Sequence, residues 1–473
     1  MQNLSVLFDM KKTLFISSAV ILLSGCGLYS KYERPDADIN TSGIIRDPVA
    51  ANDTLNAQAA QQTFGQMPWR ELFTDPLLQG HIDKALKQNT DLLNAADNVK
   101  EAEAYLTIAR LAFVPSIAIA PTGTISRVQM SGAETSKTYQ LPISASWTVD
   151  LFGNLLSAKR SAQTQLLAAK DYQVAVQTQI VCGIANTYYT LMMLDRQLEI
   201  VTAMEQLVKE TWDMMVLQQR LGRARSTSVQ SAEANYYSVK AQAADLRRQI
   251  RETENAFCLL MGEAGHQVER STLDSQVLPQ QWTTGVGLQL LDNRADVHAA
   301  EMALAQCFYG IESARSRFYP SIKISANGVF TNSLGTAIVN PGKWILSAVG
   351  SLTQPIFANG QLVAGLKVAK LEYDKALNTF QTAVLRAGNE VSNALVAYNT
   401  AKEKSDLEEK QVQVLTQNVE DTKRLYKNSG SSYLEVISAE SQLLSAQLSK
   451  VADDFYTMQA IVTLYQALGG GSK

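Results

Sequence analysis

Apolar residues along this chain follow two spacings, one typical of helices and the other of strands. Spacings of three and four run from about Asp91 to Leu111 and from Asp296 to Arg317, and they predict two helices. Pro115, in "FVPSI", and Pro320, in "FYPSI", should break these helices, because a proline inside a helix removes a hydrogen bond. Beyond each proline the pattern changes to strict alternation, which predicts strands.

The alternating segments have one apolar face and one polar face. In the first half the apolar positions are Leu141, Ile143, Ala145, Trp147 and Val149, and the polar positions are Pro142, Ser144, Ser146, Thr148 and Asp150. In the second half the apolar face recurs at Leu346, Ala348, Gly350 and Leu352. A soluble sheet packed on a core would alternate in the same way. Small residues make weak core material, however, so the pattern favours a membrane barrel with lipid outside and water inside.

Each half has two such segments, so one chain should supply four strands. A membrane barrel needs at least about eight strands, and an unpaired sheet edge is not stable in lipid. We therefore predict that three chains share one barrel of about twelve strands.

Two much longer helical patterns follow the strands, from about Leu155 to Arg220 and from about Gln361 to Tyr426. At 1.5 Å per residue, each would be about 100 Å long. In the first, apolar residues form a seam: Leu191, Leu194, Leu198, Val201, Met204, Val208, Trp212 and Met215. Such a seam predicts packing against other helices in a coiled-coil wall. The fold class is therefore mainly α with a membrane β part.

The two halves of the chain match each other at a nearly constant offset. "FVPSI" and "FYPSI" are 205 residues apart, as are "SWTVDLF" at Ser146 and "SLTQPIF" at Ser351. The tripeptide "SAE" occurs at Ser231 and Ser438, 207 residues apart. We interpret the chain as an internal duplication.

Composition excludes several classes of function. A net charge of −3 gives no basis for nucleic-acid binding, which needs a basic face. Cys182, Cys258 and Cys307 lie far apart in helical patterns, which indicates small packed side chains. The three histidines are scattered, so we expect no metal site and no cofactor. The sequence has no nucleophile elbow or phosphate-binding loop, so catalysis is not expected.

The N-terminal residues have the layout of an export signal. Two lysines, an apolar run and Ser-Gly-Cys follow one another between Met10 and Cys26, and translation could begin at Met1 or Met10. A small-residue pair before Cys resembles the bacterial lipobox, so Cys26 should be lipidated and become the mature N-terminus. The alternative is an ordinary secretory signal with an incidental cysteine. After Leu23, no apolar run is long enough for a membrane-spanning helix.

The chain resembles the TolC/OprM family of outer-membrane efflux ducts, and in particular its lipoprotein branch. The resemblance covers nearly the whole mature chain. Its marks are the lipobox, "YERP" at Tyr32, "WRELFTDPLLQGHIDKALKQNTDL" at Trp69, the two proline breaks, "NRADVHAAE" at Asn293 and "LYQALGGG" at Leu464. Asn293 and Ala295 depart from the arginine and proline that are usual in the family.

This resemblance implies a homotrimer whose barrel lies in the outer membrane and whose helical tunnel extends into the periplasm. The implied partners are a periplasmic adaptor, suited to a hexamer, and an inner-membrane transporter of RND, ABC or MFS type. The protein would be a passive conduit for drugs, metals or other small molecules. Two alternatives remain open: a type I protein-secretion duct of the same family, and a structural periplasmic coiled-coil lipoprotein.

The resemblance also implies a gate at the periplasmic end. The family's two acidic gate positions fall on Glu435 and Ser438, so only one acidic ring would remain, and Tyr426 matches a tyrosine that helps to close the tunnel. Glu435 could instead be an ordinary first-turn residue, and Tyr426 an ordinary packing residue.

Two turns between long helical patterns, "RLGRARSTSV" and "KNSGSSYLEV", are predicted to dock the adaptor. Each has Gly where a helix would stop and Ser where the next would need an N-cap, which would explain them without any partner. The candidate docking residues are Leu221, Gly222, Arg223, Arg225, Ser226, Gly430, Ser431 and Leu434.

These inferences divide the chain into six segments. They are a signal peptide (1–25), a lipidated extended strap (26–68), a first repeat (69–265), a linker (266–290), a second repeat (291–468) and a tail (469–473). The strand connections at about 128–137 and 331–343 should face the cell exterior.

Overall fold

The structure, a computed structural model, describes residues 30–35, 64–127, 135–276, 294–331, 344–427 and 432–471. The signal peptide, Cys26, most of the strap, Gly430, Ser431 and most of both strand connections lie outside the described residues. The described chain is mostly helical and has one small sheet.

Eight α-helices are described, and the four whose bounds were predicted agree with the prediction to within one residue at each end. They are α1 (Trp69–Leu72), α2 (Pro76–Gln88), α3 (Thr90–Leu111), α4 (Asn154–Arg220), α5 (Ser226–Leu260), α6 (Ala295–Ser316), α7 (Gln361–Lys427) and α8 (Tyr433–Ala467). Short 3-10 helices occur at Phe64–Gln66 and Leu273–Ser275. The two long helices were predicted to within one residue at each end.

The chain divides into two compact units. One comprises Met1–Ala37, Asn98–Lys170 and Ala299–Gln381, and the other comprises Asp38–Asp97, Asp171–His298 and Thr382–Lys473. Both predicted repeats contribute segments to each unit.

The first unit contains an antiparallel sheet of five strand segments. They are β1 (Ser116–Ile119), β2 (Thr122–Arg127), β3 (Thr135–Val149), β4 (Ser321–Thr331) and β5 (Trp344–Thr353). β1 and β2 pair with successive parts of the long strand β3, and β4 and β5 follow in order. Four strands were predicted, and the count differs because the first is interrupted at Ala120–Pro121, where proline has no backbone N–H to donate.

The register of the sheet confirms the two predicted faces. Ile143, Ala145, Trp147 and Val149 pair with Gly328, Ala326, Ile324 and Ile322, and these pair in turn with Leu346, Ala348, Gly350 and Leu352. The opposite face carries mainly Ser, Thr and Asn, and the hydroxyls of Ser116 and Ser146 lie 2.9 Å apart on it. Large side chains on the apolar face are exposed, with Ile117 73% and Leu346 81% accessible.

The two predicted proline breaks lie between a helix and a strand, but not at the last helical residue. α3 ends at Leu111 and α6 at Ser316, four residues before Pro115 and Pro320. Short turns bridge the gap, with the N–H of Val114 donating to Leu111 O and that of Tyr319 to Ser316 O. Each proline directly precedes the first strand residue. The residue before a proline is restricted to extended conformations, so each helix has to end before that residue.

Residues 30–35 are extended and contact helices of the first unit. Arg34 Nε donates to Glu301 Oε1 at 2.9 Å, and the Tyr32 ring packs edge-on against Phe308. The side chain of Glu301 is nearly buried, so this ion pair fixes the described part of the strap on α6.

The second unit has a core drawn from distant parts of the sequence. Its fully buried side chains include Leu72, Phe73, Ile82, Tyr188, Phe257 and Tyr465. The predicted seam of α4 is confirmed, because Leu191, Leu194, Val201, Met204, Val208 and Met215 are buried. Cys182 and Cys258 are buried as expected, whereas Cys307 is only partly buried.

Candidate functional site

The first helical turn, between α4 and α5, is built around Gly222. Its φ of 72° lies in the left-handed region that favours glycine. The N–H of Arg223 donates to Gln218 O at 2.8 Å, and that of Gly222 donates to Gln219 O at 2.9 Å. These two bonds form a Schellman motif, which satisfies carbonyl groups at the helix end. The predicted role of Gly222 in ending the helix is confirmed.

The predicted role of serine at the start of α5 is wrong. The N-cap residue is Arg225, which makes no side-chain capping bond, and Ser226 is already the first helical residue. The tip residues Leu221, Gly222, Arg223, Arg225 and Ser226 are all exposed. The turn therefore presents two guanidinium groups and one leucine to its surroundings.

The second turn, between α7 and α8, has the expected serine cap. Ser432 is the N-cap of α8, and its hydroxyl oxygen accepts from the N–H of Glu435 at 3.4 Å. The same hydroxyl donates to Glu435 Oε1 at 3.1 Å. Leu434 is 68% exposed, as a docking residue would need to be.

The predicted gate residues occupy different environments. Glu435 and Ser438 are exposed in the first turns of α8, and Ser438 Oγ accepts from the side chain of Gln442 at 3.2 Å. Within the described chain Glu435 thus acts as a first-turn capping residue, the ordinary role considered above. Tyr426 is partly buried, and its hydroxyl donates to Met215 Sδ at 3.2 Å.

An aromatic pair lies behind the second turn. The rings of Tyr426 and Tyr433 are 6.3 Å apart and edge-on, and Tyr433 clusters with Met215 and Ala232. The hydroxyl of Tyr433 is buried without a hydrogen-bond partner in the described residues. Burial, and secondarily the charge of Glu440, raise the pKa of Tyr433 above its usual value. Its phenol therefore stays neutral at physiological pH.

A buried ionic network joins three helices near the same turn. Glu440, on α8, is 1% exposed. Its Oε1 lies 2.9 Å from Lys423 Nζ on α7 and accepts from Thr211 Oγ1 on α4 at 3.1 Å. Sequence reasoning missed this network, although a glutamate at helical spacing from the apolar Val436 was a possible signal. Removing one partner would leave a buried charge, so the network resists separation of these helices.

The described residues offer no evident metal centre. Among residues 30–35, 64–127, 135–276, 294–331, 344–427 and 432–471, no group of three His, Cys, Asp or Glu side chains could hold a metal ion. In the same ranges, no helix combines the length and apolar character needed to cross a membrane.

Comparison with known proteins covers almost the whole chain. The family model described as "Outer membrane efflux protein" matches residues 81–263 and 287–470. The cation efflux system protein CusC of Escherichia coli O157:H7 is 24% identical over 95% of this chain and 97% of its own. The toluene efflux pump outer membrane protein TtgC of Pseudomonas putida is 26% identical over 98% of this chain and 96% of its own.

The fold is similar to that of a solved channel as well. The open state of the Neisseria gonorrhoeae MtrE outer membrane channel superposes with a TM-score of 0.82 and 25% identity, covering 94% of this chain and 98% of that one. The two family matches together span well over half of the sequence, including the long helices, the two-faced sheet and both turns. The chain therefore belongs to the outer membrane efflux protein family.

Proposed function

We propose that three copies of this chain form one duct, with a twelve-stranded barrel in the outer membrane and a helical tunnel in the periplasm. The observation that carries this proposal is the sheet of the first unit, with its exposed apolar face and its Ser/Thr face. Four strands, the first of them interrupted, fall short of a closed barrel, so the edges at β1/β2 and β5 must pair with other copies in lipid. The two family matches support the proposed duplication.

The duct would work with a periplasmic adaptor and an inner-membrane transporter of RND, ABC or MFS type. In a trimer, two turns per chain would present about six equivalent tips, which suits a hexameric adaptor. The exposed Leu221 and Leu434 would give apolar contact, and Arg223 and Arg225 would favour an acidic adaptor residue. Gly222 supports close approach, because nothing lies within 4 Å of where a Cβ would stand.

The cargo we propose is a small molecule or ion. One relative is named for cation efflux and another for toluene efflux, which supports small-molecule export over protein secretion. A strain that lacks this chain should become more sensitive to some members of a panel of metal salts, solvents and antibiotics. Plasmid-borne wild-type protein should restore resistance. If the strain that lacks this chain keeps its sensitivity across the panel but no longer secretes a protein that the wild-type strain secretes, the protein-secretion duct would be favoured.

Cys26 would anchor the mature chain to lipid, in addition to the anchoring by the barrel. The Leu23-Ser24-Gly25-Cys26 context supports this. Mass spectrometry of the mature N-terminal peptide should find lipidated Cys26, and an unmodified terminus elsewhere would contradict the proposal.

A further inference from the structure

Helix α7 carries an apolar seam that nothing in the described chain covers. Val396, Leu407, Val414 and Leu425 are 47%, 57%, 68% and 53% exposed. Their spacings of eleven, seven and eleven residues keep them within about 20° of one line on the helix. Such a line is the seam of a coiled coil, and it normally packs against another helix.

Two carboxylates accompany this seam without a partner. Glu403 lies on the line itself, Asp406 lies about 80 to 100° around the helix from it, and both are exposed. Neither forms an ion pair with any described residue, whereas Glu409 nearby lies 3.7 Å from Lys450. The middle of the seam therefore carries two carboxylates that form no ion pair with described residues, with the exposed Lys410 one turn beyond Asp406.

Helix α5 has a complementary face. Tyr237, Lys240, Ala244, Arg247 and Arg251 follow one another at spacings of three and four and are all exposed. Arg247 and Arg251 make no ion pair within the described parts of the chain. Arg248, in contrast, donates to both carboxylate oxygens of Glu252, at 2.9 and 2.8 Å.

The unpaired charges lie at nearly equal distances from the turn at which each helix begins or ends. Arg247 is 21 residues beyond Ser226, where α5 begins, and Asp406 is 21 residues before Lys427, where α7 ends. Arg251 and Glu403 are 25 and 24 residues from the same points. At 1.5 Å per residue these levels are about 32 to 38 Å from the turns.

We propose that the α7 seam of one subunit is covered by helix α5 of a second copy of this chain, with Arg247 opposite Asp406 and Arg251 opposite Glu403. The inference rests on the proposed trimer, because cyclic symmetry places equivalent residues of all subunits at the same level. The small side chain of Ala244 leaves room for Leu407 to insert between turns of α5. Lys410 also lies on the seam, and its level matches Ala244 rather than either arginine.

Charge reversal and rescue in the full-length protein test this interface. R247E/R251E and E403R/D406R should each reduce the trimer that survives heating at low salt by roughly fivefold, because two attractive pairs per interface become repulsive. The fourfold variant, with both sides reversed, should recover most of the trimer. R248E is the matched control and should behave as wild type, since Arg248 is already paired with Glu252.

The readout is the trimer fraction on native gels at the temperature that dissociates half of the wild-type trimer. In 1 M salt the differences in trimer fraction between the variants should shrink. The Debye length is then about 3 Å, so charges across the interface are largely screened from one another. Two double variants as stable as wild type, or a fourfold variant no better than either, would overturn the interface. A wild-type protein that is not trimeric would instead overturn the proposed function.

Discussion

At the scale of single residues, Asp75 shows how one carboxylate can fix several elements of the second unit. Its Oδ1 accepts from the N–H of Leu77 at 2.9 Å and so caps α2. Its Oδ2 accepts from the Tyr188 hydroxyl at 2.9 Å and from Gln276 Nε2 at 3.0 Å. Burial alone would raise the pKa of Asp75, but these bonds and one from Ser271 outweigh burial and lower it.

Replacing Asp75 should therefore destabilise the protein in a pH-dependent way. A lowered folded-state pKa means that the stabilisation is present above the unfolded pKa, about 3.9, and is lost as pH falls through the folded value. We expect Asp75→Ala to cost about 2 kcal/mol near pH 7. Thermal unfolding from pH 7 down to pH 3 should show the gap to wild type narrowing. Asp245→Ala, at an exposed residue of α5, is the control, and a gap independent of pH would contradict this account.

Glu435 is the second residue whose role can be tested alone. If three copies converge near the axis of the duct, their charges should attract cations by focusing the potential. In planar bilayers, Glu435→Gln should weaken cation selectivity, whereas Glu420→Gln, at an exposed residue of α7, should not. Selectivity equal to wild type would leave Glu435 with only the capping role seen in the structure.

At the scale of elements, sequence reasoning did best where periodicity and turn residues agree. The bounds of α4 and α7 were clear because their long helical spacing ends near Gly222 and Gly430. The faces of β3 and β4 followed from alternation alone. Partners far apart in sequence could not be found this way, because spacing describes only one element at a time.

Two examples show this limit. Glu440 is stabilised by Lys423 and Thr211, which come from two other helices. Arg270 falls in the segment predicted as a linker, yet it donates to Asp195 at 2.9 Å and to Glu254 at 2.7 Å. The first turn adds a local error, because a run of Ser and Thr suggested a serine cap where Arg225 stands.

The helical turns give a prediction for docking. Replacing Gly222 or Ser431 with a bulky residue should abolish export, because the adaptor could no longer approach closely. At Gly222 the positive φ adds strain for any side chain, so Ala at the same position separates strain from bulk. Trimer yield and heat stability should stay near wild type. Normal export by both bulky variants, or misfolding of both, would make the turns purely structural.

The strand connections give a prediction for topology. Both connections should face the cell exterior, so cysteine introduced at Gly132 or Gly335 should react with a membrane-impermeant thiol reagent on intact cells. Cysteine at Gly222, in the turn that we propose lies in the periplasm, is the matched control and should be protected. Protection of both connection sites in an expressed protein would reverse the proposed orientation.

At the scale of the whole molecule, family membership establishes an outer-membrane efflux channel and not an enzyme. A single chain leaves two apolar surfaces exposed, and neither is covered by the described residues. The sheet exposes large apolar side chains such as Ile117 and Leu346, and helix α7 exposes the seam around Leu407. Exposed apolar surface on this scale is typical of contact with lipid or another protein. A trimer in a membrane would cover both surfaces at once.

The most direct test of this account is single-channel recording on the purified full-length protein, together with its mass in detergent. The account predicts particles of trimer mass that insert into planar bilayers and give discrete conductance steps of one main size. Monomeric particles that give no conductance, in a preparation whose helical content matches the structure, would contradict the shared barrel on which the proposed duct depends.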